Sequence, residues 1–579
     1  MSPTSGTVAQ VLIGIGARCY LFHDDRGDGY AVTTDRGIER TLRLRGRELR
    51  RWICRRYYAE TGKAANGEAI AAALGVLEAK ATFDGRRIAL FNRFAEQDGS
   101  VFICLCDELW RAVKITAEGW EILDKPPILF RRYAHQQALP EPQHGGDLAA
   151  LDSFLNLRNT EDRYLMRAWL AAAPFCDAPR PALMLHGPQG AAKTTLARAL
   201  KSLLDPSATD TIDLGRDPAA LAQVLDHNAV PVFDNVTGIP IWAGDMLCKA
   251  VTGGGFSKRE LYTDAEDVIL TFKRAVIVTG INIPTHAPDL LDRVLLIELE
   301  RISPEKRRDE REFWAKFNAA RPLLFGAILD AISGVLRYRD QVSLARLPRM
   351  ADFARLACAY ADHSGIGADK MMQVIMDNAG RQTQEIIESD PLATAVCDFI
   401  ERQRRWEGTA TELYAALTGP YTRTRTVPEH WPKSPRSLGK RLTALQATLA
   451  DVGITVWKSP SDGRSRRITL VVGSAKQTLE TLETSEANAG AASAPNVSSH
   501  PIPANVGETL GRKPNAGALS NMNNVSNNTL HDSTALPQQP AKPDNEFGRA
   551  YIKRQVYEAR LARAAAKRAT SPATHVTHH

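Results

Sequence analysis

The chain has no Cys-x-x-Cys pair, no basic n-region in its opening Met-Ser-Pro-Thr-Ser-Gly and no apolar run approaching the roughly 20 uninterrupted residues that a membrane helix needs. Its eight cysteines are scattered, and the nearest two, Cys104 and Cys106, alternate along a strand-like run with no second ligand pair nearby. They are expected as buried thiols in a reducing compartment, which sets aside a zinc site and a disulfide framework. Charge of one sign is also scarce: 73 Lys+Arg against 66 Asp+Glu leaves +7, too mild for a histone-like surface but compatible with local basic patches. No internal repeat occurs. These absences predict a soluble, cytoplasmic protein without a membrane partner. At 579 residues and 44% hydrophobic content, the chain is too long for one core and should hold three or four folded units.

What is present begins at residues 182–200, an apolar run, then a small-residue loop ending in Lys-Thr, then a helical pattern. The template G-x-x-x-x-G-K-[ST] is met by Gly187, Lys193 and Thr194, with Ala192 in place of its second glycine. In such a loop the backbone N–H groups of Gly187, Pro188, Gln189, Gly190, Ala191 and Ala192, proline excepted, close around phosphate oxygens at a helix start. Lys193 then reaches the β/γ-phosphates, Thr194 ligates Mg²⁺, and Thr195 follows on the helix. The Ala192 methyl is expected to be tolerated, on the view that this position asks for smallness more than for positive φ. The plain alternative is a turn between a buried strand and a helix, with Lys193 solvated.

About 40 residues on, residues 229–235 (Ala-Val-Pro-Val-Phe-Asp-Asn) form an apolar run ending in an acid. Asp234 at that strand end would hold Mg²⁺, and Asn235 stands where a glutamate base is common; an amide orients water but cannot take its proton. A Gly-rich segment then leads into a hairpin carrying Lys258, Arg259 and Lys273. The buried strand 275–278 ends at Thr279-Gly280-Ile281-Asn282, and Arg293 precedes the apolar strand 294–299.

In this order the segments resemble the superfamily-3 DNA helicases, AAA+-type ATPases of phages, plasmids and integrated elements, over about residues 150–345. The resemblance is nearest to primase-associated replication helicases of phages and mobile elements. It implies an α/β fold with a parallel-sheet P-loop core, ATP and Mg²⁺ as cofactors, and a homo-oligomeric, hexameric ring acting on single-stranded or forked DNA. Lys193, Thr194 and Asp234 inherit the phosphate and metal roles, and Thr279 or Asn282 that of sensor 1. Arg293 sits where such rings supply an arginine finger to a neighbouring subunit, the alternative being a surface pair with Asp289 or Asp292. Lys258, Arg259 and Lys273 would grip DNA, or else belong to an ordinary solvated hairpin. The expected activity is ATP-dependent helicase action in replication. An ATP-switched origin-binding initiator with little hydrolysis is the alternative, and a defence or signalling ATPase a third.

Around this core, residues 1–134 read as a small α/β accessory domain of short strands and one helical stretch, closed by a Pro- and Gly-marked boundary at 135–146. The helical stretch 45–58 is rich in Arg beside Trp52, Tyr57 and Tyr58; it could meet phosphates or stack on bases, but the preferred expectation is a solvated helix face with its aromatics in the core. This domain offers no acidic metal constellation for primase chemistry, so a primase would be a separate chain. The core is bounded at 150–300, a helical lid or packing region at 301–390, and a winged helix at 391–472 whose Arg436, Lys440 and Arg441 would face DNA. From 473 to 579 the composition predicts a disordered tail, with a basic helical stretch at 546–569.

Overall fold

The computed structural model describes residues 6–259, 267–281, 288–424, 427–428, 431–459 and 466–473. The predicted tail, its basic stretch 546–569 and Asn282 lie outside them. The chain divides into two compact units, one of residues 1–399 and 410–448, the other of 400–409 and 449–579.

The first unit is built on a parallel sheet in the order Val232–Phe233, Ile277–Gly280, Ala182–His186, Val294–Glu298. All three of its strand pairings are parallel. Its central strands are apolar on both faces because helices cover both sides, as a parallel sheet requires. The edge strand Val294–Glu298 is closed by side chains: Asn378 accepts from the Leu296 N–H at 3.1 Å and donates to its carbonyl at 2.8 Å. Gln382 donates to the Val294 carbonyl and Asp162 accepts from the Glu298 N–H. An amide side chain here does the work of one more strand, leaving no free edge to pair with another chain.

Periodicity places two helices at 309–318 and 322–337, but the chain forms one, Glu310–Tyr338, with Pro322 inside it. By length and composition it could cross a membrane, yet 67% of its apolar window is buried inside the protein. It packs with Thr160–Ala172 and Ala351–His363, and Ala368–Ser389 packs in turn on those two helices.

The first 134 residues depart from expectation in two ways. Among the described residues they hold three α-helices instead of one, Val8–Gly16, Arg47–Thr61 and Gly67–Ala79, the last running on into a π-helical turn at Lys80–Asp84. Val8–Gly16 is so apolar that it reads as a strand; the Thr7/Gln10 capping box decides for helix. The second departure is the boundary at 135–146, which separates no core. The antiparallel meander Phe94–Gln97, Ser100–Cys104, Ala112–Thr116, Gly119–Leu123 puts Phe94, Val101, Ile103, Val113 and Ile115 into the same cluster as Leu183, Leu200 and Phe325. The sheet of residues 20–43 and 86–87, with the three helices, keeps a core of its own around Leu12, Leu49, Ile53 and Leu77, and the other face of the meander packs a small one of Ala95, Phe102, Cys104, Ala112, Ile128 and Phe130.

Further along, the first unit contains Ala410–Thr424 and Pro435–Ala444, the latter started by a Ser434/Ser437 capping box with Pro435 at its first turn. The second unit contains an antiparallel sheet in the order Arg405–Thr409, Arg467–Val472, Ile454–Lys458. The strand Arg405–Thr409 was not expected from the sequence.

Candidate functional site

The strand Ala182–His186 ends at the carboxyl edge of the sheet and the chain turns through Gly187–Ala192 into the helix Lys193–Leu204. Gly187 has φ +146°, and a Cβ there would lie 2.4 Å from the Leu299 carbonyl oxygen, so the position admits only glycine. Gly190 follows at φ +77° and Ala192 at φ +60°, ψ +31°. The expectation that position 192 needs smallness more than positive φ is therefore corrected: it is left-handed, a conformation costing an L-residue about 1–2 kcal/mol. Pro188, Gln189, Gly190 and Thr194 are exposed, Thr195 half-buried and Ala191 buried. No side chain caps the helix start, so its first-turn N–H groups and the positive dipole end face the loop.

Lys193 folds across this loop, its ammonium donating to the carbonyls of Gly187 at 2.8 Å and Pro188 at 3.0 Å. Burial pushes its pKa down, and the nearby Asp234 carboxylate opposes that. The Thr194 hydroxyl donates to the Asp234 carboxylate, 2.9 and 3.1 Å from its two oxygens. Thr279, on the adjacent strand and 1% exposed, donates its hydroxyl to the same carboxylate and accepts from the Asn235 N–H at 2.9 Å. Asn235 itself is left-handed at φ +52°, which its short amide tolerates better than most side chains. Four of the expected residues, Lys193, Thr194, Asp234 and Asn235, thus meet at one sheet edge with Thr279 behind them. These hard oxygen donors beside a helix N-terminus suit a polyphosphate with a small divalent cation.

A further strap lies over the loop, and no local pattern marks it. After the strand Val294–Glu298 the chain crosses the loop, with the Ile302 N–H donating to the Gly190 carbonyl at 3.2 Å. The exposed Arg307 guanidinium comes within 3.9 Å of where a Gly190 side chain would begin. Only the tertiary fold brings residues 302 and 307 here; a lone Arg after a strand carries no signal.

Other expected residues lie elsewhere. Arg293 stands at the opposite end of the sheet, beside the first residue of the loop strand, where its backbone carbonyl accepts from the Ala182 N–H. Its guanidinium donates to the Asp289 carbonyl and lies 3.8 Å from Cys248 Sγ, folded onto its own chain. The hairpin forms as expected between Gly254–Arg259 and Asp267–Phe272, placing Lys258 and Arg259 at the end of its first strand. Lys273 sits at the hairpin base, under Gly253, donating to the Asp177 carbonyl at 2.6 Å. On the helix Pro435–Ala444, Arg436 and Lys440 are exposed while Arg441 pairs with Asp390 at 2.6 Å.

With this geometry the comparisons agree in part. Residues 148–380 match the family model of the actinomycete integrative conjugative element replication protein, and residues 392–491 that of the RepA C-terminal domain of the same elements. No curated protein matches the chain. Among solved structures, the apo NrS-1 C-terminal region aligns at 12% identity and TM-score 0.37 over 82% of this chain and 100% of that one. The JCV helicase aligns at 16% identity and TM-score 0.22 over 41% of this chain and 64% of that one. The two family matches follow one another along the chain, which thus carries a region similar to the replication protein and a region similar to the RepA C-terminal domain of actinomycete integrative conjugative elements.

Proposed function

We propose that the chain is an ATP-dependent DNA helicase that replicates its mobile element, working as a ring of identical subunits. The observation that carries the reading is the convergence of Lys193, Thr194, Asp234 and Thr279 around the Gly187–Ala192 loop. Loop N–H groups and Lys193 hold the β- and γ-phosphates of ATP, and Arg307 adds a second positive charge over the loop. Thr194 and Asp234 are the donors that would hold Mg²⁺, which when bound supplies charge neutralisation on the phosphates. In hydrolysis, water attacks the γ-phosphorus as the bond to the bridging oxygen breaks, giving ADP and phosphate. Asn235 orients that water, and its proton leaves through a phosphate oxygen or solvent, since an amide cannot accept it. Arg293, a full strand length from its own loop, acts on ATP held by the neighbouring subunit. The Lys258–Arg259 strand end engages DNA, and the helix Pro435–Ala444 presents its exposed Arg436 and Lys440 to the same ligand.

The test is steady-state ATP hydrolysis with and without single-stranded DNA, beside unwinding of a forked duplex. Turnover stimulated by DNA, strand separation, and loss of both in Lys193→Ala support the reading; hydrolysis with no strand separation or translocation removes the helicase half. A second reading, an ATP-switched origin-binding initiator, is favoured by Asn235 and predicts a sequence-specific footprint tightened by ATP with little turnover. Charge reversal at Lys258 and Arg259 that left every DNA-dependent activity intact would point instead to a defence or signalling ATPase.

A further inference from the structure

Away from the nucleotide loop, a cleft of about 1280 Å³ opens between the sheet of residues 20–43, the start of the helix Arg47–Thr61, the segment 131–134 and the helix Pro218–His227. Seven arginines and five carboxylates line it. Pairing decides what that excess is worth. Arg26 is held by Asp226, Arg43 by Asp28, Arg45 by Glu78 and Arg131 by Asp24. Arg47, Arg51 and Arg132 form no ion pair among the described residues.

Those three differ in kind. Arg47 and Arg51 are exposed and one helical turn apart, so they share a face of their helix. Arg132 is fixed: its guanidinium lies 3.9 Å from the Trp110 ring centroid and donates to the Asp107 carbonyl at 2.6 Å. Its Nε and one terminal nitrogen are buried with no hydrogen-bond partner. A buried donor without an acceptor costs about 1–3 kcal/mol, which an anionic oxygen in the cleft would relieve. Next to Arg132 in the chain, the Tyr133 ring stacks on His227 at 4.1 Å and its hydroxyl donates to Asp226. The wall ends at Leu270, on the hairpin whose other strand carries Lys258 and Arg259.

We infer that this cleft is a single-stranded DNA site, with backbone phosphates on Arg132, Arg47 and Arg51 and bases against the aromatic wall. Unpaired guanidinium groups supply charge and the rings supply sequence-tolerant stacking. This would make the first domain part of the DNA path and give its Arg-rich helix a use. The inference rests on the proposed function only in taking DNA as ligand; it requires no ATP turnover.

The experiment is fluorescence anisotropy of a labelled oligothymidylate with the full chain in the absence of nucleotide, as a function of salt. Arg47→Glu/Arg51→Glu is the main variant, because both side chains are exposed and unpaired and their change leaves the fold intact; an unchanged thermal melt checks this. Arg132→Ala is the second. Expected are a loss of at least tenfold in affinity for the double variant and a fall of about 1.4 in the log–log salt slope, for two lost phosphate contacts. Lys193→Ala should leave both quantities unchanged, so failure of ATP hydrolysis and failure of this site are separable. Wild-type affinity and slope in both cleft variants would overturn the inference. So would loss of free dATP binding with oligothymidylate affinity intact, which would make the cleft a mononucleotide pocket.

Discussion

The buried Thr279 hydroxyl donates to the Asp234 carboxylate while accepting from the Asn235 N–H at 2.9 Å, so one side chain sets the aim of two neighbours on the next strand. Removing it frees the carboxylate to rotate and strands a backbone donor. Thr279→Ala is expected to lower ATP turnover about 10–100-fold, the usual cost of losing an orienting partner. ATP affinity should stay near wild type, and Thr279→Ser, which keeps the hydroxyl, should recover most of the rate. Wild-type turnover in Thr279→Ala would leave the residue a packing role and return the sensor assignment to Asn282.

The loop makes a second, opposed pair of predictions. Gly187→Ala must push a methyl against the Leu299 carbonyl, 2.4 Å away, in a backbone conformation alanine does not adopt. ATP binding should be abolished. Ala192→Gly acts the other way, since glycine takes φ +60° without strain while loosening the unfolded chain. The two effects oppose each other, so stability should change by no more than about 1 kcal/mol and nucleotide affinity should hold or rise. Equilibrium binding of a fluorescent ATP analogue to each variant checks both; a Gly187→Ala protein that binds normally would mean that the strap after residue 298 yields.

How much of this was legible depends on how local each signal is. The loop 187–194, the Asp234 strand end and the hairpin are read from consecutive residues, because glycine placement, apolar runs and turn residues act over a few positions. Thr279 and Asn282 could not be separated on the chain. Both belong to one strand end, and that the Thr279 hydroxyl reaches Asp234 is a tertiary fact. Arg307 was missed for the same reason. The helix Val8–Gly16 was missed because its apolar residues swamp the 3.6-residue period. The boundary at 135–146 misled because Pro and Gly mark turns whether or not a core continues beneath them, as it does between Val101 and Phe325.

A third prediction concerns pH. Asp205, 1% exposed at the end of the loop helix, meets Arg93 at 2.9 Å and Lys201 at 3.5 Å and accepts the Ala229 and Val230 N–H groups. Burial alone would raise its pKa; the Lys201 and Arg93 charges and these donors outweigh it and hold the carboxyl at about 2 against a usual 3.8. A depressed folded-state pKa contributes stability that is complete above the unfolded value and lost as pH falls through the folded one. The window is therefore about pH 4 to 2, and the contribution on the order of 2 kcal/mol. Asp205→Asn leaves two buried cations uncompensated and should cost about 3–5 kcal/mol at neutral pH by denaturant unfolding. It should also show a shallower loss of stability between pH 4 and 2 than wild type; equal acid slopes would show that the buried pairs contribute nothing there.

Arg293 yields the last prediction, and its position decides the form. The strand Ala182–His186 begins beside Arg293 and ends at the loop, so at about 3.3 Å per residue the guanidinium starts roughly 15 Å from the phosphates of its own subunit. A residue there can serve hydrolysis only between subunits, and to do so it must leave the Asp289 carbonyl it now contacts. Arg293→Ala should bind ATP normally and lose turnover by a factor of roughly 10³. Lys193→Ala should lose binding. Mixed in equal amounts, the two inactive proteins can form interfaces that join an intact loop to an intact Arg293, so DNA-stimulated hydrolysis should partly return. If mixing restores nothing while both variants still assemble with wild-type protein, Arg293 acts within its own chain and the shared-site ring is wrong. If Arg293→Ala hydrolyses ATP at the wild-type rate, its contact with Asp289 is its whole role.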